Sequence, residues 1–424
     1  MAMTEKLAID GGKPVLPHPL TIGKGLSLLG EEERKAVLEV VDSRSLFRYY
    51  GPALLGKVEA FEQAACELFG CSHAVATSSG TAGLRTALAA LGVGCGDEVI
   101  VPAFTFIATV NAVVSMGAVP VFAEVDETWG IDPSDLEQRI TERTVAIVPV
   151  HLDNCPSDMD PILEIARRRG VAVLEDAAQS MGASYRGRAL GTLGDLGVFS
   201  LQLEKNVTSG EGGMVVTDDA DLGLRAARYQ DQGGQFVTST GAERGSHEIP
   251  PFVGENLRMT EICGAIAGVQ LSKLPGLLKS QRANQRRILE AIGKPAGLGF
   301  RRQPDPEGDG GSSIGLLLPD APLSRRFGKA LLAEGVPAGQ LYRGLPVYAT
   351  PSILDKRTAS GKGGPWNCAE HPTTAEYRMG MCPQTEELVA RSALVVVAAG
   401  YSPSDCDAVA EAILKVAEAL LGAG

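Results

Sequence analysis

Histidine, cysteine and aromatic residues are scarce in this sequence, and the few present are not spaced as metal ligands are. The chain has 5 histidines and 8 cysteines in 424 residues, and aromatic residues make up 5% of it. No two cysteines form a C-x-x-C pair, and no spacing among the cysteines and histidines matches a zinc site. The sequence therefore indicates no metal.

Positive charge and long apolar runs are also in short supply. The formal net charge is −12, whereas a nucleic-acid partner or an anionic membrane surface requires a basic footprint. The most apolar short stretch, residues 393–399, has the length of one strand and not of a membrane span. Residues 1–6 lack the basic and then apolar layout of a signal peptide. We therefore expect a cytoplasmic protein that binds neither nucleic acid nor membrane.

The scattered cysteines are better explained as packing residues than as ligands. Four of them stand in apolar helical or loop contexts, where a thiol behaves as a small hydrophobic group. We expect small core residues at these four positions: Cys66, Cys71, Cys95 and Cys263.

Short apolar segments alternate with amphipathic ones through the first half of the chain. The predicted strands cover residues 73–77, 98–102, 119–124, 145–151 and 171–176, and the predicted helices cover residues 30–41, 58–69, 81–91, 107–116, 133–140 and 158–169. Strands separated by helices form right-handed crossover units and a mainly parallel sheet. Ligands on such sheets bind beyond the carboxyl ends of the strands.

The pattern changes after about residue 256, and the length of the chain favours two lobes. Helical runs at 258–274 and 276–291 are predicted to bridge to a smaller α+β lobe, after which residues 294–311 form a surface loop. The smaller lobe has strands near 314–318 and 393–398, helices at 324–334 and 404–421, and a long loop at 342–381, a length typical of functional loops. The predicted division is an N-terminal arm (1–30), a large domain (31–275) and a small domain (276–424).

Lys205 is the strongest candidate in the sequence for a chemically reactive side chain. It follows a run, residues 199–204, in which apolar and polar side chains alternate as in a half-buried strand, and it precedes the glycines at 210–213. A desolvated lysine loses its proton more easily than a solvated one. The neutral amine attacks carbonyls and forms Schiff bases, including with pyridoxal phosphate. The alternative is a surface lysine at the end of a strand.

Three other features stand where predicted strands end. Residues 77–81, Thr-Ser-Ser-Gly-Thr, open a helix and either cradle a phosphate or serve as an ordinary helix cap. Asp176 either keeps a pyridine nitrogen protonated or caps a helix. Phe106 either stacks on a flat ring or packs in the core. A fourth feature pairs Ser200 with Lys205. Because their separation is odd, they reach one ligand only if the chain bends between them.

These motifs, in this order, resemble the DegT/DnrJ/EryC1/StrS family of pyridoxal phosphate-dependent sugar and cyclitol aminotransferases. The similar segments are Ser-Ser-Gly-Thr-Ala, Val-Pro-Ala-Phe-Thr-Phe, Glu-Asp-Ala-Ala-Gln, Phe-Ser…Lys-Asn…Gly-Glu-Gly-Gly and Asn-Leu-Arg-Met-Thr-Glu from residue 256, and they extend to Cys-Pro-Gln-Thr-Glu from residue 382. The resemblance implies an α/β chain of fold type I, with a large domain built on a mainly parallel seven-stranded sheet and a smaller C-terminal α+β domain.

The resemblance also implies a role for each motif residue. Lys205 would hold pyridoxal 5′-phosphate as a Schiff base and move the proton, Asp176 would pair with the pyridine nitrogen, and Gln179 would lie by the phenolic oxygen. Phe106 would stack on the ring. The phosphate would be held by the remaining motif residues: Ser79, Gly80, Thr81, Ser200 and, from the partner subunit, Asn256. That last role implies a homodimer with shared active sites, and glutamate or glutamine would be the amino donor.

Several positions depart from the family pattern. Glu204 stands where the family often has Ser, Thr or Pro, and we expect it to face away from the cofactor, because adjacent residues of an extended segment point in opposite directions. The loop that follows His151 lacks the family's glycine. Residues 395–400 replace a segment that many members share. These departures weaken any inference about the substrate and leave the inference about the cofactor intact.

The N-terminal segment bears on the acceptor. Residues 7–14 look like the start of the inosose aminotransferases and aminohydroxybenzoate synthases of this family, which favours a cyclitol or a free ketone. A nucleotide-linked sugar would need basic residues for its diphosphate. Arg48, Arg343 and Lys356 are candidates, and the alternative for each is a solvated surface charge.

The leading hypothesis is an aminotransferase that aminates a keto-sugar or keto-cyclitol in secondary-metabolite (antibiotic-type) biosynthesis. One alternative keeps the cofactor but forms, breaks or eliminates C–C or C–N bonds on an amino-acid-like substrate. Another is a cofactor-binding regulatory or scaffold protein without turnover. The sugar dehydratases of the family fit less well, because they lack the lysine.

Overall fold

The computed structural model describes residues 6–234, 249–250, 252–368 and 375–422. Within them, no helix combines the length and the apolar content that crossing a membrane requires. The arm's residues 1–5 and residues 369–374 of the predicted long loop lie outside the described part.

A seven-stranded sheet forms the centre of the larger part of the molecule. Its strands follow the order β1–β9–β8–β5–β4–β2–β3, and only β9 is antiparallel to its neighbours. The strands are β1 (His73–Thr77), β2 (Glu98–Pro102), β3 (Val119–Ala123), β4 (Thr144–Ile147), β5 (Ala172–Asp176), β8 (Leu196–Ser200) and β9 (Gly213–Thr217), with a small hairpin, β6 (Ser184–Tyr185) and β7 (Arg188–Ala189), between them. The predicted mainly parallel α/β sheet is confirmed.

Helices cover both faces of this sheet because both faces of its strands are apolar. In β2, Ile100 packs into the core on one face, while Val99 and Val101 pack into the core on the other, as the two-residue period of a strand requires. The helices of this part are α1 (Glu31–Ser43), α2 (Lys57–Phe69), α3 (Gly80–Leu91), α4 (Ile107–Ser115), α5 (Pro133–Arg139), α6 (Met159–Arg169) and α7 (Ala220–Gln230).

A second, four-stranded antiparallel sheet forms the smaller C-terminal part, in the order β10–β11–β13–β12. Its strands are β10 (Gly299–Phe300), β11 (Ser313–Leu317), β12 (Ala338–Gly339) and β13 (Ser392–Val396), and its helices are α9 (Ala321–Ala333), α10 (Pro351–Leu354), α11 (Pro383–Ala390) and α12 (Pro403–Leu421). The predicted α+β character is confirmed. The sequence analysis did not identify the short elements β10, β12, α10 and α11.

One long helix, α8 (Glu261–Ile292), connects the two parts. The prediction of two separate helical runs is wrong, because the helix continues through Pro275. A proline inside a helix costs roughly 3 kcal/mol, and here the buried side chains of Leu274, Leu277 and Leu278 on either side of it contribute to the large core. The proposed domain boundary at 275/276 therefore falls within this helix.

The long loop at 342–381 has a different location from the one predicted. Of its described residues, only Tyr342 at the start lines a cavity near Lys205. Farther along, Tyr348, Trp366 and Tyr377 pack with Phe122 of β3 in a core of the larger part. Most of the described loop is therefore a brace between the two parts of the molecule.

A disulfide fixes this brace, and it corrects one of the cysteine predictions. Cys95, expected to be a free core residue, is bonded to Cys368 at a sequence separation of 273 residues. Cys71 is buried as expected, and Cys66 and Cys263 pack at the edge of the same core. The sequence pattern missed the pair because the two cysteines meet only in the folded chain.

Removing this disulfide is expected to destabilise the protein. Cys368→Ser frees a loop of this length in the unfolded chain, and such a loss typically costs about 2–4 kcal/mol. Thermal unfolding should show a lower midpoint for the variant, and a reductant should lower the midpoint of the parent protein to the same value. Cys263→Ser, at a free cysteine, is the control. A parent protein whose midpoint does not respond to reductant would contradict the prediction.

Candidate active site

A cavity of about 540 Å³ lies at the carboxyl ends of the central strands. Its wall combines residues that follow β1, β2, β5 and β8 with Leu341, Tyr342 and Val396 from the smaller part of the molecule. Eight of the nine predicted site residues line it: Ser79, Gly80, Thr81, Phe106, Asp176, Gln179, Ser200 and Lys205. The ninth, Asn256, is exposed elsewhere on this chain.

The amino end of α3 forms one end of the cavity. Ser79 caps the helix, and its hydroxyl accepts a hydrogen bond from the Ala82 N–H at 3.0 Å. Gly80 follows at a close approach to β8, where a Cβ atom would come within 2.8 Å of the Ser200 Cβ. Only glycine leaves this space open beside the Ser200 hydroxyl. The free amides of the first helical turn, the positive helix end and two serine hydroxyls therefore surround a position suited to an anion.

Asp176 lies at the end of β5 with its side chain almost fully buried. The Thr109 hydroxyl donates to its Oδ2 at 2.7 Å, and the Ala178 N–H donates to its Oδ1 at 3.1 Å. Burial raises the pKa of Asp176 above the ordinary value, and these two hydrogen bonds offset only part of that shift. A buried carboxyl held in this way gains most from a partner that brings a positive charge into the cavity.

Lys205 reaches the cavity from a turn and not from a strand. The strand β8 ends at Ser200, so the strand expected to run to residue 204 stops earlier, and the Lys205 N–H donates to the Gln202 carbonyl at 2.9 Å. This is the predicted bend, and it brings Ser200 and Lys205 to one cavity. Burial lowers the pKa of Lys205, and the charge of Lys24 lowers it further.

Glu204 does not turn away from the cavity as expected. It is exposed and lines the cavity next to Lys205. These residues form a turn and not an extended strand, so adjacent side chains do not alternate between two faces. The carboxylates of Asp176, Asp153 and Glu204 all act to raise the pKa of Lys205, against the larger effects of burial and Lys24.

Two aromatic rings and an amide form the opposite side of the cavity. Phe106 is 53% exposed at the start of α4, which is unusual for phenylalanine and leaves a ring face free to stack. Its ring centroid lies 6.1 Å from that of Tyr342. The Gln179 Nε2 donates to the Tyr342 hydroxyl at 2.8 Å, and this network fixes the position of both side chains.

The candidate diphosphate ligands do not converge on this cavity. Arg48 is not a solvated surface charge, because it is buried and makes a double hydrogen bond at 2.9 Å to Glu62. Arg343 is exposed next to Tyr342, and Lys356 lies 5.9 Å from the centroid of the Tyr377 ring. Within the described residues, no group of three or more His, Cys, Asp or Glu side chains is placed to hold a metal ion.

Sequence reasoning missed four side chains of the site: Thr109, Tyr342, Lys24 and Asp153. Thr109 could have been found, because it lies one helical turn after Thr105, in the segment that follows the predicted strand at 98–102. Tyr342 stood at the start of the predicted functional loop. Lys24 and Asp153 gave no local signal, because they are 129 residues apart and meet in the cavity wall at 3.2 Å.

Comparison with known proteins gives a consistent assignment. The family model of the DegT/DnrJ/EryC1/StrS aminotransferase family matches residues 27–362. Two proteins named GDP-perosamine synthase are similar in sequence. The one from Caulobacter vibrioides is 44% identical over 248 residues, 58% of this chain and 63% of that protein. The one from Escherichia coli O157:H7 is 42% identical over 226 residues, 53% of this chain and 60% of that protein. Each match thus spans less than two thirds of the relative's length.

The fold agrees over a larger span. The crystal structure of S. venezuelae DesV in complex with a ketimine intermediate superposes with a TM-score of 0.78 at 29% identity, covering 95% of this chain and 99% of that one. The predicted fold type I architecture is thereby confirmed. From its motifs, its fold and the match of the family model over most of its length, the chain belongs to the DegT/DnrJ/EryC1/StrS aminotransferase family.

Proposed function

We propose that this protein is a pyridoxal 5′-phosphate-dependent aminotransferase that moves an amino group from glutamate or glutamine to a keto-sugar or keto-cyclitol in secondary-metabolite biosynthesis. The observation that carries the proposal is the convergence of Lys205, Asp176, Phe106 and the amino end of α3 on one cavity. The first three supply a nucleophilic amine, a buried carboxyl and a free ring face, and the last supplies an anion site.

The residues present fit pyridoxal 5′-phosphate. The space that a Cβ of Gly80 would fill beside Ser200 suits the phosphate, with Ser79 and Thr81 on the same helix end. Phe106 would lie against the ring and Gln179 near its oxygen. Asp176 would bind the ring nitrogen, whose positive charge compensates for the buried carboxylate. When bound, the cofactor supplies an electron sink for breaking the bond to the α-hydrogen of an amine.

Lys205 is the proton carrier in this proposal. Because burial and Lys24 lower the pKa of Lys205, a larger fraction of its amine is neutral than in a solvated lysine, and the neutral amine is the form that accepts a proton. The turn formed by Gln202 and Lys205 leaves the amine in the cavity wall, where it can take a proton from one substrate and return it to the other.

The acceptor is proposed from the relatives and not from the cavity. Both relatives carry names that contain a nucleotide-linked amino sugar, GDP-perosamine, which favours a nucleotide-linked keto-sugar over the free cyclitol suggested by residues 7–14. The side chain of Arg343 does not line the cavity, but of the three candidate basic residues it alone is adjacent in sequence to a residue of the cavity wall, Tyr342. Arg343 is therefore the candidate that we propose for the diphosphate.

We further propose that the protein acts as a homodimer with shared sites. Large apolar side chains are exposed along residues 22–55, where a single chain leaves them in water, and such concentrations mark interaction surfaces. They are Ile22, Leu26, Leu29, Leu38, Val41, Leu46, Tyr50, Leu54 and Leu55. The exposure of Asn256, away from its own cavity, suits the role of reaching the partner's phosphate. Sedimentation velocity should give twice the mass of one chain, and a monomer at micromolar concentration would contradict this part of the proposal.

The test of the function is the visible absorbance of the purified, cofactor-loaded protein. Glutamate or glutamine should convert the absorbance of the bound cofactor to that of its amine form. GDP-perosamine should do the same in the reverse direction, as an amino donor, if the natural acceptor is the corresponding keto-sugar. Borohydride should attach the cofactor covalently to the protein, and peptide mapping should locate it on Lys205. Lys279→Ala, at an exposed lysine on α8, is the matched control and should change none of these results.

The outcomes separate this function from its main alternative. If no amino donor generates the amine form while the cofactor is still attached to Lys205, the enzyme performs another reaction on an amine, and transamination is excluded. If borohydride attaches no cofactor to Lys205, the assignment of the lysine is wrong.

Placement in the cytoplasm is part of the same proposal. The Cys95–Cys368 disulfide is at odds with a reducing compartment, where disulfides are rare. Alkylation of thiols in cells before lysis measures directly whether this pair is oxidised. A pair that is fully oxidised in living cells would contradict a cytoplasmic location.

A further inference from the structure

Two charged side chains in the cavity wall have no role in the function proposed so far. Lys24 comes from the segment that precedes α1, and Asp153 comes from the loop that follows His151. Lys24 Nζ lies 3.2 Å from Asp153 Oδ1, and the two side chains are only 16% and 12% exposed. Both line the same cavity as Lys205.

The backbone holds Lys24 next to Lys205. The Gly25 N–H donates to the Lys205 carbonyl at 3.0 Å. A Cβ atom at Gly25 would lie 2.9 Å from that same oxygen and 2.7 Å from the Asn206 carbonyl oxygen. Only glycine permits this approach, so the segment that carries Lys24 is fixed against the turn that carries Lys205.

The other half of the pair is held equally firmly. Asp153 has a left-handed backbone, with φ 50° and ψ 55°, a conformation that non-glycine residues adopt at an energetic cost and that clusters at functional sites. Its N–H donates to Gln179 Oε1 at 3.2 Å. Burial raises the pKa of Asp153, but Lys24, the Ser313 hydroxyl and Arg301 outweigh burial and leave the pKa below the ordinary value. Asp153 is therefore an ionised counter-ion that orients Lys24.

The amino donor needs a cation in this place. Glutamate and glutamine both carry a carboxylate on the carbon that bears the reacting amine, so that carboxylate must lie close to Lys205. A carboxylate that leaves water requires a charged hydrogen-bond donor. In the described part of this chain, Lys24 and Lys205 are the only cationic side chains in the cavity wall, and the proposed function already uses Lys205 to attach the cofactor and to carry the proton.

We propose that Lys24 binds the α-carboxylate of the amino donor, and that Asp153 positions Lys24 for this role. The inference rests on the proposed aminotransferase function. Asp153 uses one N–H of the ammonium group and leaves the others for the donor. The keto-sugar has no carboxylate at this carbon and does not use the contact.

The test measures the two half-reactions separately by rapid-mixing absorbance on the cofactor-loaded protein. Lys24→Met should weaken the apparent binding of glutamate and of glutamine alike by roughly 10- to 100-fold, as expected for loss of one charged hydrogen bond. It should leave the apparent binding of GDP-perosamine unchanged, because this amine has no carboxylate at the reacting carbon, and Lys24→Arg should restore most of the loss. Binding of α-methylglutamate, which cannot lose an α-proton, should weaken by the same factor and so gives a readout without turnover.

The charge change also has a spectroscopic signature. Lys205 faces the charges of Lys24, Asp176, Asp153 and Glu204. Lys24→Met removes a positive charge and should move the absorbance titration of the bound cofactor to higher pH, whereas Asp153→Asn should move it to lower pH. A titration that is unchanged in both variants would contradict the placement of these two charges beside Lys205.

The remaining outcomes overturn the inference in distinguishable ways. Equal loss of apparent binding in both half-reactions shows a structural role for Lys24. Weaker binding of glutamate but not of glutamine assigns Lys24 to the side-chain carboxylate. No loss in Lys24→Met refutes the contact. If the parent protein reacts with no amino donor, the proposed function itself fails, whatever the variants show.

Discussion

Replacing Lys205 with alanine is expected to lower the rate of amino transfer by roughly 10⁴- to 10⁶-fold, on the scale seen when a group with two catalytic roles is removed. Lys205 both attaches the cofactor and carries the proton in the proposed function. Among the cavity side chains of the described residues none can replace it, because the amine of Lys24, the second lysine in the cavity wall, is paired with Asp153 at 3.2 Å. Single-turnover kinetics with glutamate measure the loss without interference from product release.

Lys205→Arg tests whether the positive charge at this position is sufficient for activity. Arginine keeps the positive charge but is never neutral in a protein, so it should be as inactive as alanine. A small exogenous amine should restore part of the activity of Lys205→Ala, since the cavity then has room for it, and should not rescue Lys205→Arg. Activity of either variant within about 10-fold of the parent would show that the proton passes through another group.

The position of Lys205 illustrates what the sequence can and cannot predict. The strands between residues 73 and 176 alternate with helices and have apolar side chains on both faces. This local pattern was enough to predict the sheet and the strand ends at Thr77, Pro102 and Asp176. The odd separation of Ser200 and Lys205 was enough to predict a bend. It was not enough to locate the bend, and the strand was extended too far because Leu201 and Leu203 continue the apolar alternation into the turn.

The contacts that the sequence could not predict join distant segments. Lys24 and Asp153 meet across 129 residues, and Cys95 and Cys368 meet across 273. Neither pair lies at a spacing that any single helix, strand or turn produces, so only the folded chain identifies them. The prediction of a helix break at Pro275 was wrong for the same reason. The side chains that hold α8 together pack against elements far away in the sequence.

Replacing Asp176 with asparagine is expected to have the second largest effect on activity, a loss of roughly 10²- to 10⁴-fold, as found for buried carboxylates that support a catalytic ring. Asparagine has the same shape, and its carbonyl oxygen can still accept from the Ala178 N–H. Its amide group can donate to the Thr109 hydroxyl instead of accepting from it, but asparagine lacks the negative charge that keeps the ring nitrogen protonated. Thr109→Val is the matched comparison. Removing the hydroxyl raises the pKa of Asp176 further without deleting the carboxyl, so a much smaller loss is expected.

Asp176→Asn should also stabilise the cofactor-free protein at neutral pH. Burial raises the pKa of Asp176 in the folded state, so the folded chain binds this proton more tightly than the unfolded chain does. The stability contributed by the protonated form is complete below the unfolded pKa and is lost as the pH rises through the folded pKa. Asp176→Asn has no such loss, and its thermal midpoint should exceed that of the parent increasingly as the pH rises. A variant that is both inactive and less stable at neutral pH would show that Asp176 serves the fold and not the cofactor.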